Sequence, residues 1–284
     1  MALWRTAANP WGQDVLIGVS WDLMYAAIIV AVVYLIGHAV WIKTRPADEH
    51  MDTGAPPPGL PERIQRHSLA ARVFHWTMSA SMLVLLATAF VPVIGLQFPW
   101  VTIHWIAGVV LTATIVYHVI HSIVWQDFWA MFLIGFGEGV AHLKHILSAK
   151  APAPPKAGKY PFDHRMFHHV IVVVGLGVIA TGLLMIVRID TPLWTPNPYL
   201  LADSTWGVVY VVHGMCGVSL IFFTAAHIYF ALRPEKWWIT WSMIRGWVDR
   251  EHYLAHHDPA KWAVTGGTPP AATADASVSE PRDA

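Results

Sequence analysis

Seventeen histidines are spread along the chain, and several interrupt runs that are otherwise wholly apolar. The stretch VVHGMCGVSLIFFTAAHIYFAL, residues 211–232, holds His213 and His227 and carries no charge. Their spacing corresponds to a helical rise of ~21 Å and a return to within roughly 40° of the starting direction. The two imidazoles therefore point the same way from two depths. Residues 101–124 hold a similar pair, His104 and His118, and His75 stands in the run ARVFHW. Ionisable groups within a bilayer are costly and mark functional sites. Neutral imidazole is a strong axial ligand for haem iron. A lone histidine is explained by a hydrogen bond to a neighbouring helix, whereas histidines at matched depths point to haem ligation and electron transfer.

The elements that must position them follow from composition. The chain is 55% hydrophobic and only 13% charged, where a soluble domain carries roughly 25% charged residues. This is the composition of an integral membrane protein. Five segments approach the ~20 apolar residues that a spanning helix needs: 21–42, 73–94, 101–124, 167–188 and 206–232. Residues 43–72 and 125–166 are polar connections with Pro-rich pieces that form no packed core, and the Ala/Pro/Ser-rich end from 265 reads as disordered. Of the 18 Lys and Arg, 16 fall in 43–72, 125–166 or after 232, and only Arg5 and Arg188 fall on the other side. The positive-inside rule then puts the N-terminus outside and the C-terminus in the cytoplasm. The first apolar segment is followed rather than preceded by positive charge, which reads as a retained helix and not a cleaved signal. The single cysteine, Cys216, excludes a disulfide framework and a four-cysteine iron–sulfur site. Many of the 16 tryptophans fall near predicted interfaces as an aromatic belt. Net charge is zero, and nothing points to nucleic acid.

Topology pairs some of these residues. Helices 101–124 and 206–232 both run from outside to inside, so His104 and His213 share the outer depth and could clamp one haem. His227 lies near the inner end, where His118 and His75 are both at a suitable depth. Gly108, Gly214 and Gly217 would permit close approach of a macrocycle, although small residues also serve plain helix packing. A histidine-lined transporter or metal carrier is the rival of another class. It is disfavoured because a metal ion needs ligands converging within a few ångströms.

The pieces RVFHW, IHWIAG, AGKY, HGMCGVSLIFFTAAHIYFAL and SMIRGWVDREHYLAHHDPAKW resemble the membrane cytochrome b (gamma) subunits of formate dehydrogenases over residues 70–262. They are similar, more loosely, to the cytochrome b subunits of nickel–iron hydrogenases. The resemblance implies an all-α bundle in which four helices hold two haem b groups, ligated by His104 with His213 and by His75 with His227. It also implies an iron–sulfur subunit and a molybdenum or tungsten catalytic subunit on the outer face, in a complex that can be a higher oligomer in the bacterial inner membrane. Electrons would pass between that dehydrogenase and a quinone near the cytoplasmic face, so this subunit would carry no substrate chemistry of its own. The hydrogenase or another molybdoenzyme is the alternative partner.

Two departures from the family stand out. The chain adds the 21–42 helix with His38, and where the family has Asn and Gly after GKY it has Pro161, Phe162 and Asp163. Tyr160, Asp163 and His164 are the candidate quinone site, with Asp163 or His164 as proton donor or, alternatively, Asp163 as a helix N-cap. His38, His118, His121, His168 and His169 are read as packing residues or as support for a third haem or proton path. His142, His145, His252, His256 and His257 are read as solvated. The resulting organisation is an N-terminal segment with the extra helix (1–45), a cytoplasmic linker (46–72), a dihaem core (73–232), an amphipathic tail (233–264) and a disordered end (265–284).

Overall fold

The computed structural model describes residues 3–44, 56–126, 128–148 and 154–264. The disordered end expected at 265–284, residues 46–55 of the linker, and Arg45, Lys150 and Arg282 of the charge count lie outside the described residues.

An antiparallel hairpin precedes the first helix, with β1 (Trp4–Ala8) paired to β2 (Asp14–Val19). Asn9 makes the turn: its Oδ1 accepts from the backbone N–H groups of Trp11 and Gln13, and Gly12 takes φ of 79°. Arg5 closes the other end, donating from Nε to the Val19 carbonyl with its guanidinium over the Trp21 ring. Ser20 then caps α1 (Trp21–Lys43), its hydroxyl accepting from the Asp22 N–H.

After the linker come β3 (Arg63–Gln65) and α2 (Leu69–Phe90), which Ser68 caps by accepting from the Ala71 N–H. A 3₁₀ turn and Gly95, at φ of 96°, redirect the chain into α3 (Trp100–Trp125). The polar connection holds two short helices, α4 (Phe128–Phe132) and α5 (Phe136–Leu147). Next are α6 (Phe162–Met185), α7 (Asp203–Leu232), α8 (Trp237–Arg245), β4 (Trp247–Asp249) and α9 (Arg250–His256). The helices α1, α2, α3, α6 and α7 are long and apolar enough to cross a membrane. Their many outward-facing Val, Ile and Leu residues are what a lipid-facing surface requires. The chain is thus an all-α membrane bundle, with two small two-stranded additions among the described residues.

Within the bundle α2 packs antiparallel on α3, and α6 on α7. The two helical hairpins touch one another far less than their own partners do, which leaves an interior seam between them. The extra helix α1 lies outside the seam against α7, joined by His38 Nδ1 to Tyr229 Oη at 3.0 Å and by the Tyr34–Phe222 edge contact. The β1–β2 hairpin covers the first half of α7. A Cβ added at Gly207 would come 2.8 Å from Leu16 Cβ, and one at Gly214 2.8 Å from Val19 Cγ2. Gly214 therefore admits a strand, not the macrocycle expected of it.

At the opposite end β3 pairs with β4, and α9 folds back on them. Leu60, Ile64, Val248, Tyr253 and Leu254 form a small core, with Trp238 and Trp262 packed against it. The Pro-rich pieces of the linker were expected to form no packed core, and residues 233–264 to be an amphipathic tail. Each lacks enough apolar residues alone, and the pairing of β3 with β4 supplies the missing half. This cap and the β1–β2 hairpin mark the two ends of the bundle.

Candidate functional site

The seam holds imidazoles at two levels. Near the hairpin end, His104 of α3 and His213 of α7 stand with ring centres 6.2 Å apart. Each Nδ1 meets a threonine on the neighbouring helix: His104 with Thr88 Oγ1 at 2.8 Å, His213 with Thr181 Oγ1 at 2.9 Å. Each hydroxyl also lies against carbonyls of its own helix, Thr88 with Val84 at 2.8 Å and Thr181 with Gly177 at 2.6 Å. A hydroxyl has one proton to donate, and here it goes to the carbonyl. The oxygen must then accept from Nδ1–H, which fixes the tautomer and leaves the Nε2 lone pair for a metal. Both threonines are buried, and Gly182 lets α6 approach His213, where a Cβ would lie 3.4 Å from Cε1.

Near the cap end, His75 of α2 and His227 of α7 stand with ring centres 6.3 Å apart. The Phe167 ring stacks on His227, displaced to a centre separation of 5.3 Å, and His75 Nδ1 is buried without a partner. Two imidazoles on opposite sides of one metal ion, each with a bond of ~2 Å from nitrogen to metal, bring their ring centres to about 6 Å. Both pairs have this spacing and therefore fit an iron held between them. Among the described residues no three His, Cys, Asp or Glu side chains converge on a lone metal ion. The imidazoles come in pairs.

His118, left by depth as an alternative partner for His227, turns instead to His168, with ring centres 6.5 Å apart. Phe74 lies face to face on His118 at 4.0 Å and 8°. His118 Nδ1 is bonded to Ser122 Oγ at 3.3 Å within its own helix. His121 bonds Gln126, and His169 bonds the Arg165 carbonyl at 2.6 Å, so these histidines are engaged locally.

Asp163 and His164 sit in the first turn of α6, which starts five residues earlier than the sequence suggests. Pro161, and not Asp163, takes the N-cap position. His164 is within electrostatic range of Asp163, Arg66, Lys236 and His227, which links this corner to the cap-end pair. Tyr160 precedes the helix, with the Lys159 ammonium 5.4 Å from its ring centre. The cap above buries polar groups beside its apolar core. His257, expected to be solvated, is fully buried: Nδ1 donates to the Gly158 carbonyl at 2.7 Å and Nε2 accepts from Arg66 Nη1 at 2.9 Å. Burial and the Arg66 charge push His257 down to about 4, and burial lowers Arg66 itself to about 10. His67 is pushed down to about 3, by burial first and then by Arg66 and Lys159.

Sequence reasoning overlooked Thr88 and Thr181. A threonine in an apolar helix satisfies its hydroxyl on its own backbone, so neither one signals anything alone. Only the antiparallel register of α2 with α3 and of α6 with α7 brings each hydroxyl to an imidazole.

The family model for prokaryotic cytochrome b561 matches residues 66–246, a stretch that runs from the cap through α2, α3, α6 and α7 to the end of α8. No curated protein matches the chain. The match covers more than half of the sequence and includes all four histidines of the two seam pairs. The chain belongs to the prokaryotic cytochrome b561 family, as a multi-pass electron-transfer protein of the bacterial inner membrane whose family cofactor is haem b.

Proposed function

We propose that the chain is a dihaem membrane anchor linking a periplasmic-side dehydrogenase of the formate dehydrogenase type to the quinone pool. The observation that carries the reading is the pair of imidazole pairs, with ring centres 6.2 and 6.3 Å apart at two levels of one seam. Haem b, when bound, supplies one-electron storage at each level. His104 and His213 would hold the group at the hairpin end, His75 and His227 the one at the cap end. The two levels are ~21 Å apart along α7.

The surplus of Lys and Arg at the cap end supports a cytoplasmic cap and a periplasmic hairpin. Electrons would then enter near the β1–β2 hairpin from an iron–sulfur subunit. They would leave near α6, where Tyr160, Asp163 and His164 are the groups able to position a quinone and hand it protons. Electrons moved inward by this route work against an inside-negative membrane potential, at about 2.3 kcal/mol per charge per 100 mV. The short sequence pieces named above favour a formate dehydrogenase partner over a hydrogenase.

A reduced-minus-oxidised spectrum with haem quantification tests the core of the reading. The expected result is two haem b per chain, with His213→Ala and His227→Ala each losing one. Unchanged haem content in both variants overturns it. Co-purified subunits containing molybdenum or tungsten are expected, and nickel in their place assigns the anchor to a hydrogenase.

A further inference from the structure

An open cavity of about 410 Å³ lies where the cap meets the start of α2, and three guanidinium groups line it: Arg63, Arg72 and Arg245. Gln65, His67, Leu69, Gly246 and Trp247 also line it, and among the described residues no carboxylate does. The three cations come from separate segments, β3, α2 and the end of α8. Their convergence is a product of the fold and not of a basic run in the sequence. Arg63 and Arg245 are exposed and Arg72 is half-buried; three like charges facing one open cavity repel one another, and an anion bound between them relieves that repulsion. Among the described residues none of the three is in a salt bridge.

The arginines are held in place. Arg63 lies over the Trp247 ring at 4.4 Å, and Arg245 lies 5.6 Å from that ring and 4.7 Å from the ring of Trp241. Arg72 donates from Nη1 to the Ile244 carbonyl, and its Nε is buried without a partner. Gly246, at φ of +92°, makes room for it, since a Cβ there would lie 3.3 Å from the Arg72 guanidinium carbon. Such preorganised guanidinium forks match the oxygens of a phosphate.

Below the cavity α2 carries Leu69, Val73 and Trp76, spaced along one helical face and 66%, 57% and 48% exposed. Trp76 donates from Nε1 to the Met243 carbonyl, which ties this strip to α8 beside the arginines. The polar pocket thus opens onto an apolar strip that enters the spanning part of the helix. Basic pockets at the membrane boundary of helical bundles select anionic headgroups.

We propose that Arg63, Arg72 and Arg245 bind the phosphate of an anionic phospholipid whose acyl chains lie along Leu69, Val73 and Trp76. The site is separate from the histidine pairs and does not depend on the redox partner.

Native mass spectrometry of the haem-loaded protein in detergent tests it, with phosphatidylglycerol, phosphatidylcholine and inorganic phosphate as the probes. One phosphatidylglycerol per chain is expected to be retained well above phosphatidylcholine. The Arg63→Gln/Arg245→Gln variant should bind it roughly 30-fold more weakly, from about fivefold per arginine, with haem content unchanged. Should the double variant lose its haem, Arg245→Gln alone is expected to show the fivefold loss. Displacement of the lipid by millimolar inorganic phosphate, with the same arginine dependence, supports the phosphate site but assigns it to a free anion. Equal retention of the two lipids, or binding indifferent to both variants, overturns the proposal.

Discussion

Thr181 Oγ1 stands 2.9 Å from Nδ1 of His213 and 2.6 Å from the Gly177 carbonyl, so one hydroxyl ties the backbone of α6 to an imidazole of α7. Thr181→Val keeps the shape and removes the acceptor. The buried Nδ1–H is then unpaired, the ring is freer to turn, and the imidazole becomes a weaker electron donor. Loss of such an outer partner costs roughly 10–100-fold in metal affinity, so haem should escape faster to a scavenging apoprotein. The midpoint potential of the haem proposed for the hairpin end should rise, because a less basic ligand stabilises ferric iron less. Thr181→Ser should restore both, and Thr88→Val should act the same way through His104. Altered stability with an unmoved potential would reduce the threonines to packing.

The two partners that depth allows for His227 differ in their surroundings. His75 stands 6.3 Å from it across the seam, whereas His118 faces His168, with ring centres 6.5 Å apart. His118→Ala is therefore expected to keep the full haem complement, and His75→Ala to lose the same haem as His227→Ala. Pyridine haemochrome assays on the three proteins decide it. Haem loss in His118→Ala with none in His75→Ala reverses the assignment.

What the sequence revealed and what it hid separate along physical lines. A spanning helix is specified by local composition, so all five were legible from runs such as 206–232. The level shared by His104 and His213 followed from helical rise and direction alone. Contacts formed between distant segments left no such trace. His257 was read as solvated and Arg66 was only counted among the linker's positive residues, yet, 191 residues apart, they meet in a buried hydrogen bond. Gly214 looked like a helix-packing or macrocycle-admitting position because nothing in residues 4–19 signals which helix the hairpin will cover. Asp163 was ambiguous because Pro161, which starts α6, also suits a loop.

His257 makes the cap sensitive to acid. Held neutral in the fold at about 4, it resists a proton that the unfolded chain takes up below its ordinary value of 6.5. Cap stability should therefore be flat above about pH 6.5, fall as pH drops toward about 4, and level off below that for this group. His67, held at about 3 by burial and its cationic neighbours, adds a slope of the same sign that extends lower. Hydrogen exchange of the 247–258 amides, corrected for the intrinsic rate, should show protection decreasing across this window. His257→Gln can still donate to Gly158 and accept from Arg66 while binding no proton, so its slope should be shallower. An identical slope in that variant would remove His257 as the cause.

The β1–β2 hairpin rests on α7 through contacts that only glycine allows. At Gly207 an added Cβ would lie 2.8 Å from Leu16 Cβ and 3.0 Å from the Leu16 carbonyl oxygen. The backbone atom cannot swing away as a side-chain end can. Gly207→Val is expected to push β2 off the helix at a cost of about 1–3 kcal/mol, the usual range for overpacking. The turn at Asn9–Gln13 should then be cut faster by protease, while the haem spectrum stays unchanged because His213 lies nearly two turns further along α7. The Asn9 Nδ2 donation to Asp203 Oδ2, at 3.2 Å, offers an independent check at the edge of the same interface. Asn9→Ala should loosen the turn as well, through loss of that bond and of the two backbone N–H groups that Oδ1 accepts. Normal protease resistance in both variants would mean that the hairpin does not depend on α7 for its fold.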